Sequence, residues 1–290
     1  MNYLFHHYEP DHERYPDRIM YGAESYPKRA CENWKLVEEH PYVIGDFVWT
    51  AMDYLGEAGI GSAGIQPEGK EQTFFQAWPW YNGWCGDIDL IGNKKPQSYY
   101  RDVVWNRSDM AIAVAPHVTG KYELVSKWGW YDELPSWNWQ GHDGDTMTVR
   151  VYTKYEEVEL LLNGKTIDRK PVADDCLIAE FLVPYEKGEL TAVGYIGGEE
   201  GISKRLRTQS GPYRIKLTAE DSDILNLENE ISYVRISIVD SNGNLVPEAS
   251  VPLTLEVNNG KLLASGNGAP DDMESFRSAT PKTWHGSAIA

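Results

Sequence analysis

The heptapeptide Tyr21-Gly22-Ala23-Glu24-Ser25-Tyr26-Pro27 presents one carboxylate between an apolar lead-in, Ile19-Met20-Tyr21, and a proline. Pro27 suits the first turn of a helix, where its missing N–H is not needed, and Ser25 is a candidate N-cap. Glu24 is therefore expected where a strand ends and a helix begins. In a (β/α) barrel that junction is the catalytic rim. A carboxylate there is placed for nucleophilic or general acid–base work. The plainer reading is an acidic residue in a surface turn, and the flanking segments decide between the two.

Those segments have the periodicities of a βαβ unit. Lys28 to Glu39 carries Ala30, Trp34 and Val37 at helical spacing, and Pro41 stops it. Trp34 reads as core. Residues 42–52, YVIGDFVWTAM, form a nearly continuous apolar run, as in a strand buried on both faces. After Asp53 the pattern lapses over a glycine-rich stretch that ends in Trp78, Trp80, Tyr81, Trp84 and Gly86. A loop of that length is usually functional. Trp78, Trp80 and Trp84 there are candidate stacking surfaces for a ligand. Pro96 then opens a second helix, Gln97 to Trp105.

From about residue 110 the period changes to two. Met147/Val149/Val151 and Val158/Leu160/Leu162 alternate with polar neighbours, and the second run ends in Asn163-Gly164, a strong hairpin signal. Residues 110–210 read as one antiparallel β-sandwich. Beyond Gly211-Pro212 a second follows, with Tyr213/Ile215/Leu217, Val234/Ile236/Ile238 and Val251/Leu253/Leu255/Val257 alternating and Asn242-Gly243 and Asn259-Gly260 as turns. This strand spacing fits an immunoglobulin-like topology.

The chain has 290 residues and a formal net charge of −17, from 44 acidic and 27 basic side chains. That charge argues against nucleic acid and anionic membrane surfaces as partners. Eleven Trp and 18 Tyr suit a protein that packs flat rings on pyranose C–H faces. Cys31, Cys85 and Cys176 form neither a CxxC pair nor a disulfide ladder. No apolar run approaches the roughly 18 residues of a membrane span, and the polar, aromatic start MNYLFHHYEPDHERYP shows no signal peptide. The compartment is left open between periplasm, secretion and cytoplasm.

The motifs YGAESYP, ENWKLVEEHPYVIGDFVWTAMDYLGEAGIG at 32–61 and GDIDLIGNKKPQSYYRD at 86–102 occur in an order and at a spacing that resemble glycoside hydrolase family 2, the family of β-galactosidases and β-glucuronidases. The resemblance covers nearly the whole chain but only the back part of the family's architecture. It implies the last quarter of a (β/α)8 barrel over 1–108 and two immunoglobulin-like sandwiches over 109–210 and 211–290, the second truncated. The barrel's earlier strands and the N-terminal domains are then missing partners. The resemblance also implies an activity: retaining hydrolysis of a terminal β-linked sugar, with a β-galactoside as first choice. No cofactor is implied beyond an active-site cation whose ligands the sequence does not identify, and a homo-oligomer is left open.

Residue roles follow from the same resemblance. Glu24 takes the place of the nucleophile, and Tyr3 that of a tyrosine that hydrogen-bonds it. Trp49 matches a tryptophan lining the sugar pocket, and Asp53 is placed to bond a sugar hydroxyl or a neighbouring loop. Asn93 and Lys95 stand where β-glucuronidases hold a uronate with Asn-x-Lys, although the same stretch is the ordinary lead into the last barrel helix. A retaining enzyme needs a second carboxylate about 5–5.5 Å from the first. The family places it after an Asn on an earlier strand. The Asn-Glu pair here, Asn229-Glu230, lies in the second sandwich and reads as a decoy. The isolated chain is therefore expected to be inactive. A reading of another class makes it a non-catalytic carbohydrate-binding or spacer protein.

Overall fold

The structure, a computed structural model, describes residues 1–67, 69, 76–116, 121–209, 211–225, 227 and 230–290; Asn229 of the Asn-Glu pair lies outside them. A first helix, α1 (Tyr8–Arg14), precedes strand β1 (Met20–Ser25), helix α2 (Ala30–Glu39) and strand β2 (Val43–Val48). β1 and β2 pair in parallel, with Gly22 opposite Asp46 and Ser25 opposite Val48. A parallel pair needs a crossover, and α2 supplies it. Ser25 does not cap the helix. Tyr26 occupies the N-cap without a side-chain hydrogen bond, and Pro27 begins a 3-10 turn. The Ser25 hydroxyl instead donates to Asp46 Oδ2 at 2.8 Å.

The glycine-rich stretch is more ordered than its sequence pattern suggests. It contributes β3 (Tyr54–Leu55), β4 (Ala63–Pro67) and β5 (Asn82–Gly83), followed by helix α3 (Pro96–Val104). β3 pairs with β5, and β4 pairs antiparallel with β7 (Lys121–Val125), well downstream. Glycine is required where two backbones cross: a Cβ on Gly86 would lie 2.2 Å from the Asp53 amide nitrogen. One parallel strand pair and three α-helices among the described residues fall short of a barrel.

The rest of the chain is mostly β. In order come β6 (Met110–Pro116), β7, β8 (Thr146–Thr153), β9 (Glu157–Leu162), β10 (Lys165–Pro171), β11 (Ile178–Pro184), β12 (Glu189–Ile196) and β13 (Glu199–Arg207). They form an antiparallel sheet β10-β9-β12-β13 and a second sheet β11-β8-β6. Val158, Leu160 and Leu162 from the first and Met147, Val149 and Val151 from the second close on one core around Trp137 and Phe181. The Asn163-Gly164 turn joins β9 to β10 with φ of 52° and 76°, the left-handed pair that a two-residue hairpin requires.

β8 is buried on both faces. Its outer face carries Tyr152, which packs with Ala30 and Cys31 of α2, Tyr100, Val103 and Val104 of α3, and Trp130. The two-sheet module is thereby held against the helices that follow β1. The last module contributes β14 (Arg214–Ala219), β15 (Val234–Val239) and β16 (Ser287–Ile289) in one sheet. The Val251–Val257 run forms no continuous strand. Val251, Leu253 and Leu255 still exchange backbone bonds with Thr283, Pro281 and Ala279, but Pro252 and Pro281 have no N–H to complete a ladder.

Candidate functional site

Glu24 lies at the C-terminal end of β1, half-buried. Tyr3 is beside it, because the Tyr3 amide donates to the Glu24 carbonyl at 2.8 Å and Asn2 bridges Glu24 in parallel. The Tyr3 ring stacks on Tyr26 at 4.4 Å. Trp128, in the segment after β7, meets both rings edge-on, and its indole N–H donates to the Tyr3 hydroxyl at 2.7 Å. Burial holds the Tyr3 phenol well above the usual range. The Trp128 donation works against that shift, and the neighbouring Glu24 carboxylate adds to it through hydrogen bonding and charge. The phenol is thus a protonated group between an indole N–H and a carboxylate. Nothing local in the sequence marks Trp128, which is 125 residues from Tyr3 in the chain.

A second carboxylate, Asp46 of β2, faces Gly22. Its Oδ1 has no hydrogen-bond partner among the described residues, and a Cβ on Gly22 would lie 2.5 Å from it. Burial raises its pKa, against the Ser25 hydrogen bond and the charge of Arg101. Trp49 follows β2, with its amide on the Ser25 carbonyl at 3.0 Å. Its indole donates to the Tyr54 hydroxyl at 3.3 Å. The structure therefore brings Tyr3, Glu24 and Trp49 to the same ends of the parallel strands.

The other expected contacts are placed differently. Asp53 and Lys95 are both buried and bind each other: Lys95 Nζ lies 3.0 and 3.1 Å from the two Asp53 oxygens and 2.8 Å from the Trp84 carbonyl. The ammonium also sits 3.7 Å from the Trp84 ring centroid. Burial pushes Asp53 up to about 6 and Lys95 down, and in each case the partner's charge opposes the shift. Asn93 donates its amide N–H2 to Asp89 at 3.1 Å. Of the two contacts expected for Asp53, a sugar hydroxyl or a neighbouring loop, the structure shows the loop, through the Gly86 amide; Asn93 and Lys95 are likewise engaged within the chain, between the loop and the start of α3. Trp84 turns toward Trp80 and Trp284, and Trp78 is 72% exposed, so the three loop tryptophans form no single wall. Among the described residues, no group of three His, Cys, Asp or Glu side chains is arranged to hold a metal ion, and no helix is long and apolar enough to cross a membrane.

Residues 215–290 match the model of the glycoside hydrolase family 2 C-terminal domain 5, and residues 144–201 match a domain of unknown function, DUF4982. A solved structure of a family 2 glycosyl hydrolase from Bacteroides cellulosilyticus superposes with a TM-score of 0.86 at 36% identity, over 99% of this chain and 37% of that one. The chain belongs to glycoside hydrolase family 2. β-Galactosidase BoGH2A of Bacteroides ovatus is 27% identical over 260 residues, 89% of this chain and 26% of the relative. A Formosa agariphila protein provisionally named a β-glucuronidase is 29% identical over 251 residues, 84% of this chain and 21% of the relative. This family 2 chain thus spans about a quarter of the length of these curated relatives, and its residues 215–290 carry one C-terminal module of the family.

Proposed function

We propose that the chain supplies the nucleophile half of a retaining β-glycosidase, with Glu24 attacking the anomeric carbon of a terminal β-galactoside. The observation that carries this reading is the junction itself: a carboxylate at the end of a parallel strand, against a protonated phenol that a half-buried indole holds in place. In this reading Tyr3 orients the Glu24 carboxylate and stabilises it when the glycosyl-enzyme breaks down. The acid/base carboxylate that protonates the leaving oxygen and then activates water comes from a barrel segment outside this chain.

Residues 1–108 are read as the end of a (β/α)8 barrel, and 109–210 and 211–290 as immunoglobulin-like modules. The exposed apolar side chains of the parallel pair support the barrel reading. Ile44 and Phe47 are 66% and 62% exposed on β2, as expected of strands whose neighbours lie elsewhere. A galactoside is preferred over a glucuronide because Lys95 is paired with Asp53 and so offers no free cation to a uronate.

A 2-fluoro-galactoside inactivator added to the enzyme that contains this chain should label Glu24, as read by peptide mass mapping. Label on any other residue removes the assignment. The isolated chain should not hydrolyse a nitrophenyl galactoside, since general acid catalysis is missing, and measurable turnover would count against that division of labour.

A further inference from the structure

A cavity of about 340 Å³ opens where the lead into α3, the segment after β7 and the last module meet. Its walls include Tyr99, Tyr131, Asp132, Trp284 and His285, and neither Glu24 nor Tyr3. The volume is at the lower end of the range for small-molecule sites, about 300–1,000 Å³.

Three properties of the walls select the ligand. The first is aromatic surface. Trp284 is half-buried, T-shaped against Trp84 at 5.4 Å and tilted over His285 at 3.6 Å. The second is unused hydrogen-bonding capacity. Neither the Trp284 indole N–H nor the Tyr99 or Tyr131 hydroxyl has a hydrogen-bond partner among the described residues, so each is open to water or to a ligand. The Tyr131 ring is covered by Arg150 at 3.7 Å and Lys28 at 4.7 Å, which leaves its hydroxyl as its contribution. The third is charge. Lys94 is held by Asp102, Lys95 by Asp53 and Glu133 by Arg150. Of the two lining carboxylates without an ion-pair partner among the described residues, Asp89 accepts from the Ile91 and Asn93 N–H groups, which leaves Asp132 to meet a ligand. Burial also pushes His285 down to about 4, which leaves it a neutral donor and acceptor near pH 7.

We propose that this cavity binds a neutral hexopyranoside unit, with its C–H face on Trp284 and its hydroxyls on Tyr131, Tyr99 and Asp132. An anionic sugar would meet the Asp132 carboxylate. An organic cation would suit the indole face and Asp132 but would leave the indole and phenol donors unanswered. A pyranoside supplies acceptors to the indole and phenols and donors to Asp132 and His285. The inference is independent of the role of Glu24.

The test is a titration of the 290-residue chain with methyl β-galactopyranoside, read through its tryptophan indole NMR signals assigned by single substitutions. Methyl β-glucuronide and tetramethylammonium serve as charged comparisons. The expected result is saturable, millimolar binding that moves the Trp284 signal and leaves Trp49 in place. Affinity should fall about tenfold or more in Trp284→Ala and severalfold in Tyr131→Phe, and the second variant keeps the ring packing if the first fails to fold. Shifts confined to Trp49 would place the sugar at the strand ends and overturn the proposal. So would equal binding of either charged probe, no saturation, or an affinity unchanged in Tyr131→Phe.

Discussion

At the scale of single residues, two groups control protons in ways that can be measured. The Tyr3 hydroxyl is set between Trp128 and Glu24. In the enzyme that contains this chain, Tyr3→Phe should lower kcat by about a hundredfold with a smaller change in KM. Trp128→Phe, which removes one hydrogen bond worth about 1 kcal/mol, should lower kcat about fivefold. Steady-state kinetics on the two variants would show both, and equal losses would mean that the indole does more than hold the phenol. The second group is Glu133. It is fully buried against Arg150 at 3.1 Å, and Arg150 also binds Glu123 and Glu180. One guanidinium facing three carboxylates stays charged, while burial pushes the innermost carboxylate from 4.5 up to about 7. A carboxyl whose folded pKa is raised stabilises fully below its unfolded value, and that contribution is lost as pH rises through the folded one. Unfolding free energy should therefore decline as pH rises from 4.5 through about 7, by about 3 kcal/mol. Denaturant titration of Glu133→Gln across the same window should show a flatter profile.

Elements divide into those legible in the sequence and those that needed distant partners. The Asn163-Gly164 hairpin follows from the left-handed preference of its two residues, and the βαβ unit follows from the change of period around Pro27 and Pro41. The position of Glu24 at a strand end was legible for the same reason, since strand end and helix start are both local. The Asp53–Lys95 pair was not, because its partners are 42 residues apart and each, read alone, looks like a solvated charge. Nor were the short pairings of β3 with β5 and β4 with β7, which tie down a stretch with no periodicity of its own. The run from Val251 to Val257 alternates like a strand, yet its prolines deny it a full ladder. Breaking the buried pair should be costly: Lys95→Met leaves Asp53 uncompensated, for about 3–5 kcal/mol. Gly86→Ala drives a methyl into the Asp53 backbone and should destabilise by about 1–3 kcal/mol. Chemical denaturation followed by tryptophan fluorescence would measure both, and a neutral Lys95→Met would mean that the pair is solvated.

For the whole molecule, the governing contrast is between a closed core and an open one. The seven strands around Trp137 and Phe181 enclose their apolar side chains, while β1 and β2 expose theirs: Tyr21 and Phe47 meet at 6.0 Å with solvent beyond them. Such a face promotes association. Sedimentation velocity should find the isolated chain forming dimers or larger species at micromolar concentration, and Phe47→Lys should shift it toward monomer. A monodisperse parent chain would mean that this face is tolerated by water. The architecture was less legible at this scale because an apolar run predicts burial and cannot say which chain segment provides it.

The indole of Trp128 reaches the phenol of Tyr3 from a module that a domain map would draw as a separate block. Chimeras that exchange this block between relatives while conserving every side chain on the parallel strands should therefore lose turnover unless the grafted piece brings its own tryptophan at that point. Modularity in this lineage would then have a seam, and the seam runs beside the carboxylate proposed as nucleophile.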